Sequence, residues 1–143
     1  MDMDEKYCLI HCGGIALTIP VSNVLRVEPE PQIYPLPRMR ASMTGVFRFE
    51  KEWVPVLHLE KIISNQDFRQ DVCCVERKYV LVCATELGYI GLPCDSAVRI
   101  LNVYGDCIAD CEAPLLPGCT QEMIYRNERY PILDIDRLLP HCP

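Results

Sequence analysis

The chain has 143 residues, half of them apolar, enough for one ordinary domain or two fused half-size units. Its 14 basic and 20 acidic residues give a net charge of −6 with no Lys/Arg cluster, which excludes a phosphate-driven nucleic-acid binder. No apolar run approaches the ~20 residues of a membrane-spanning helix, and the opening MDMDEKY lacks the basic and apolar parts of a signal peptide, so a cytoplasmic protein with no direct membrane insertion is expected.

Taken in order, Tyr7–Cys12 and Ile15–Ile19 read as a hairpin across Gly13-Gly14. Val21–Val27 continues as a strand, or as a short turn and a strand. Glu28–Pro37 holds four prolines, which rule out helix and central strand and leave an extended connection. Gly45–Phe49 is a strand, Glu50-Lys51-Glu52 a polar turn, and Trp53–Leu59 the returning strand. Glu60–Glu76 is polar and reads as a link. Tyr79–Thr85 and Tyr89–Cys94 then pair across Glu86-Leu87-Gly88, and Val98–Val103 extends the sheet. Gly105–Gly118 is a loop with Pro114 and Pro117. Met123–Tyr125 and Tyr130–Leu133 form the last hairpin across Arg126-Asn127-Glu128. Asp134–Leu139 can make a short C-terminal helix, with Asp134 as its N-cap.

The second half echoes the first. KYCLIHCGGIALTIPVSNVLRV aligns with KYVLVCATELGYIGLPCDSAVRI, and FRFEKEWVPVLHLEKII with MIYRNERYPILDIDRLL. The offset drifts from about 72 to about 76, too long for one solenoid unit. The expected architecture is all-β, with two tandem five-stranded barrel subdomains packed together and a short C-terminal helix. The first subdomain would span residues 6–63, the linker 64–77 and the second subdomain 78–139. Each repeat sits near the lower size limit for folding alone, so the two should share an apolar seam.

Chemistry-bearing motifs are sparse. Ten cysteines without an export signal point to reduced thiols, and Cys8, Cys12 and Cys83 fall where a strand takes a small apolar residue. Cys8 and Cys12 with His11, vicinal Cys73-Cys74, and Cys107, Cys111 and Cys119 offer soft ligands, but the C-x2-C pairs of zinc sites are absent. On a strand Cys8 and Cys12 would stand about 13 Å apart, too far for one metal. His58 could meet a cysteine only through the fold, and His141 lies in the tail. Asp134 and Asp136 read as capping carboxylates, and no Gly-rich phosphate loop follows a strand. No catalytic residue, metal or cofactor is expected.

The stretch IYPLPRMRASMTGVFRFEKEWVPVLHLEKI resembles the signature of CheW-like domains, coupling proteins of bacterial chemosensory arrays. Its marks are Pro35-Leu36-Pro37, Gly45-Val46 and Val54-Pro55-Val56 with Leu59. Gly91 and Asp95 in the second half match the GxxVDxV region, and LPGCTQEMIYRNERYPILDIDRLL matches the closing segment, so the resemblance covers roughly residues 6–139. It implies two SH3-like barrels and no enzymatic activity. It also implies an adaptor that joins a chemoreceptor's cytoplasmic helical tip to the regulatory domain of a CheA-type histidine kinase. The helix would dock in an apolar groove between barrels, for which Val24, Val27, Val46, Phe47, Val54 and Val56 are the candidates. Arg26, Glu50 and Lys51 would tune partner choice, and Arg99 and Arg126 would mark a second surface.

This chain departs from the family at its first-barrel turn. The usual Asn-Leu-Arg-Gly is Arg48-Phe49-Glu50-Lys51, and the usual Asp of Pro-Val-x-Asp-Leu is His58. Glu50 replaces an Arg, while Arg26 stands where well-studied members have Glu, so an Arg26–Glu50 ion pair with exchanged ends is expected. Two other functional readings stay open: a coupling protein of a pilus or surface-sensing pathway, and a thiol- or metal-dependent regulator on the same barrels.

Overall fold

The computed structural model describes residues 5–12, 15–38, 42–58, 79–95, 98–111 and 118–141. Strands dominate them. The first repeat supplies β1 (Glu5–Cys12), β2 (Ile15–Pro20), β3 (Val24–Pro29), β4 (Met43–Phe49) and β5 (Glu52–Leu57). The second supplies β6 (Tyr79–Thr85), β7 (Gly88–Cys94), β8 (Arg99–Val103), β9 (Ile108–Asp110), β10 (Gln121–Tyr125) and β11 (Glu128–Ile132), then a one-turn helix, α1 (Ile135–Leu138). Asp134 precedes α1 but its side chain caps nothing; its carboxylate pairs with Arg137 at 3.5 Å. The three-residue β9 lies inside the stretch expected to be loop.

Two sheets form, in the orders β8-β1-β2-β11-β10-β9 and β3-β6-β7-β5-β4. The first runs from β8 through a 3-10 turn (Gly105–Cys107) into β9, which joins its two edges. The second closes where Tyr34 and Val46 exchange backbone hydrogen bonds of 2.8 and 2.9 Å. Gly45 permits that closure, because a Cβ there would lie 2.5 Å from the Tyr34 carbonyl oxygen.

The sheets do not follow the sequence halves, which corrects the expected subdomain boundaries 6–63 and 78–139. The hairpin β1–β2 pairs with β8 and β11 of the second repeat, and β6–β7 pairs with β3 and β5 of the first. Each repeat therefore lends its first hairpin to the other's barrel. The chain leaves β2 at Pro20, whose nitrogen carries no proton to extend a ladder, and a 3-10 turn (Val21–Asn23) carries it across to β6. The expected linker, 64–77, lies outside the described residues, as do Cys73 and Cys74.

The lent hairpins are apolar on both faces, and the packing explains why. Tyr7 and Leu9 point into the six-stranded barrel with Leu101, Val103, Met123 and Ile132. Their neighbours Ile10 and Cys12 point the other way, into a seam shared with Leu17, Leu81, Cys83, Leu92 and Cys94. β6 repeats the pattern, with Val80 and Val82 inside the five-stranded barrel and Leu81 and Cys83 in the seam. Strands covered on both sides read as continuous apolar runs. Ile135 and Leu138 plug α1 into the same seam.

Candidate partner-binding surface

β5 shows what the alternation does. Val54 and Val56 point into the five-stranded barrel with Phe47, and all three are buried. They shape the core and present nothing to a partner, which corrects their assignment to a groove. Val24 and Val27 are half-buried against the seam, and half-buried Val46 carries the bridge to Tyr34.

The other parity of β5 builds a surface. Trp53, Pro55 and Leu57 line a groove of about 580 Å3, completed by Ser42 and Met43, by Leu87 and Ile90 of the β6–β7 hairpin, and by Leu139 after α1. It runs along the boundary of the two barrels, since α1 packs in the seam. Asp136 Oδ1 accepts a 2.9 Å bond from the Glu86 backbone N–H and holds the β6–β7 turn to the helix. Leu87 on that turn is 85% exposed.

Trp53, the single tryptophan, is 55% exposed at the groove's edge yet held on two sides. Tyr34 meets it edge-on with centroids 5.9 Å apart, and the Arg48 guanidinium lies 5.4 Å over its ring. Arg48 and Trp53 are cross-strand partners, so the sheet register sets the stack. A cation over an exposed indole contributes about 0.5–1 kcal/mol. Trp, Tyr and Arg are also the residue types that dominate interface energetics.

The charged candidates lie outside the groove's own lining. Arg26 Nε pairs with Glu28 Oε1 on its own strand at 2.8 Å, so the expected ion pair with Glu50 is not formed. Glu50 and Lys51 form the two-residue β4–β5 turn, and Glu50 takes the left-handed conformation (φ 57°). Lys51 stands where the family has glycine, but the positive φ falls one residue earlier. In the matching β10–β11 turn Arg126 and Asn127 both have positive φ, at 51° and 65°, as a tight hairpin requires. Glu50 and Arg126 thus occupy equivalent places with opposite charge.

Arg126 lies over Tyr125 at 5.3 Å, and Arg99 is exposed on β8. Between them Tyr130 donates a 2.7 Å bond to Glu128, which raises its phenol, while the Arg99 charge acts in the opposite direction. These residues form a surface of the six-stranded barrel distinct from the groove.

Cys8, Cys12, Cys83, Cys94 and Cys119 are buried, as expected for Cys8, Cys12 and Cys83. Burial raises the Cys83 thiol and pushes Cys94 up to about 12, with further contributions to Cys94 from Asp95 and Cys8. Such thiols are neither nucleophiles nor ready ligands.

The residues missed from the sequence are Trp53, Tyr34, Leu87 and Leu139. The signal lay in WVPVL: once its valines point into the barrel, Trp53, Pro55 and Leu57 must take the other face, Trp53 to solvent and Leu57 onto the seam.

Among the described residues no helix is long and apolar enough to cross a membrane. No curated protein sequence matches the chain. The fold superposes on the crystal structure of the scaffolding protein TtCheW from Thermoanaerobacter tengcongensis with a TM-score of 0.80, over 95% of this chain and 88% of that one. At 13% identity that match speaks for the fold, two SH3-like subdomains. The model of the CheW-like domain matches residues 6–142, nearly the whole length, and the chain belongs to the CheW-like domain family.

Proposed function

We infer that this protein is a non-enzymatic adaptor of bacterial chemotaxis signalling that couples a chemoreceptor's helical tip to a CheA-type histidine kinase. The observation that carries the reading is the apolar groove at the barrel boundary, edged by the Tyr34–Trp53–Arg48 stack. An apolar groove takes the apolar stripe of an amphipathic helix, and Trp53 gives that stripe an anchor whose ordering cost is already met by its two neighbours. The kinase contact falls to exposed strand edges outside the groove, with Arg26 on β3 as its charged candidate. The buried, raised thiols of Cys83 and Cys94 are not suited to the chemistry of a thiol-dependent regulator.

The test is calorimetric. The purified protein is titrated with the cytoplasmic hairpin fragment of a chemoreceptor from the same cell, and separately with the regulatory domain of its CheA-type kinase. Micromolar binding to both, with both held at once, supports coupling. Failure to bind either one refutes it.

A further inference from the structure

The groove is apolar along its walls but not at its end. Glu52 and Tyr89 line both the groove and a second concavity of about 530 Å3, whose other residues are Glu50 and Lys51. The two concavities therefore adjoin at Glu52 and Tyr89, and the apolar groove has at that end a mouth with two carboxylates and one ammonium. Tyr89 is fixed there by edge-on contact with Phe49, centroids 5.9 Å apart. Glu50, Lys51 and Glu52 are exposed, and no ion pair forms to either glutamate among the described residues. The mouth keeps a net negative charge that nothing in its own surface answers. Arg48, the nearest further cation in sequence, is turned onto the Trp53 ring.

We propose that the groove selects an amphipathic helix with a basic residue just beyond its apolar stripe, so that the cation enters the mouth between Glu50 and Glu52. This rests on the helix-docking reading above and adds the partner's charge to it. The apolar stripe supplies most of the contact. The cation sets the direction in which the helix lies, because reversing the helix would carry its charge away from Glu52, the one acidic residue among the described residues of the groove lining. A helix with an acidic residue at that place would meet two like charges, a strong means of rejection.

The experiment uses the full chain and two designed helical peptides. They share one leucine stripe at i, i+3, i+4 and i+7 and differ only in a flanking Lys or Glu. The lysine peptide should bind at least about tenfold more tightly at low salt, and the preference should shrink at high salt. The double variant Glu50→Lys with Glu52→Lys should invert the preference, and the uncharged Leu87→Ser should weaken both peptides alike. Equal binding of the two peptides, or an unchanged preference in the double variant, overturns the acidic mouth and leaves the groove standing. If Leu87→Ser weakens neither peptide, they bind elsewhere and the groove falls too. If neither peptide binds while the receptor fragment does, the proposal is overturned and the adaptor reading survives.

Discussion

Gly91 is the place where the exchange of hairpins can be tested by one methyl group. It lies on β7, from the second repeat, and pairs with Val56 of β5, from the first. A Cβ on Gly91 would lie 2.7 Å from Val80 Cγ1, 3.2 Å from Phe47 Cε1 and 3.3 Å from Val56 Cγ2. All three neighbours belong to the buried core of the five-stranded barrel, so none can swing into solvent. Overpacking of this kind costs about 1–3 kcal/mol. Replacing glycine also restricts the unfolded chain, which offsets about 0.4–1 kcal/mol. With three such contacts the overpacking cost lies in the upper part of its range, and Gly91→Ala should lower stability by about 1–2.5 kcal/mol, read as the shift in urea midpoint at unchanged slope. The closest atom belongs to Val80, so Val80→Ala should relieve the clash. The double mutant should be more stable than the sum of the single effects by about 1 kcal/mol. A neutral Gly91→Ala, or strict additivity with Val80→Ala, would refute the packing argument.

Three more outcomes follow. Fragments 1–65 and 75–143 should each lack the near-ultraviolet signal of a packed core when alone and regain it on mixing, because each barrel needs a hairpin from the other fragment; independent folding of either would contradict the exchange. Stability should be fully present below pH 9.0, the ordinary thiol value, and fall as pH rises toward about 12. The unfolded Cys94 ionises first there, at about 1.4 kcal/mol per pH unit, and Cys83 acts in the same direction; a urea midpoint that stays flat from pH 8 to 10.5, or that is not flattened by Cys94→Ala, would contradict the burial argument. Trp53→Ala should cost receptor-fragment affinity about tenfold or more with little loss of stability, since the ring is mostly exposed, whereas unchanged affinity would remove Trp53 from the docking surface.

The hairpins were legible because their signals are local. Polar or glycine-bearing pairs such as Glu50-Lys51 and Arg126-Asn127 separate runs of period two, and the register follows from the turn. The internal repeat was legible for the same reason. The pairing of strands was not. β1 and β6 are apolar on both faces, so nothing in their pattern says which neighbour covers which side, and the answer lies about 90 residues away, at β8. The groove was misread at the level of single residues. The valines of β5 match a surface and a core pattern equally well until one face is assigned, and a strand that buries Val54 and Val56 must show Trp53 and Pro55 outside. The ion pair of Arg26 went to Glu28, its i+2 neighbour on the same strand face, which composition alone cannot rank against a distant partner.

The exchanged hairpins also determine how the molecule carries load. Pulling the two sequence repeats apart means peeling β1 from β8, β2 from β11, β3 from β6 and β5 from β7, whereas pulling the barrels apart leaves these pairings whole and uncovers the seam between them. A hinge between the barrels would have to expose that seam, in which Ile10, Leu17, Leu81 and Leu92 are buried. A push on one barrel is therefore transmitted to the other as rotation of a single stiff body, the behaviour of a strut and not of a clamp.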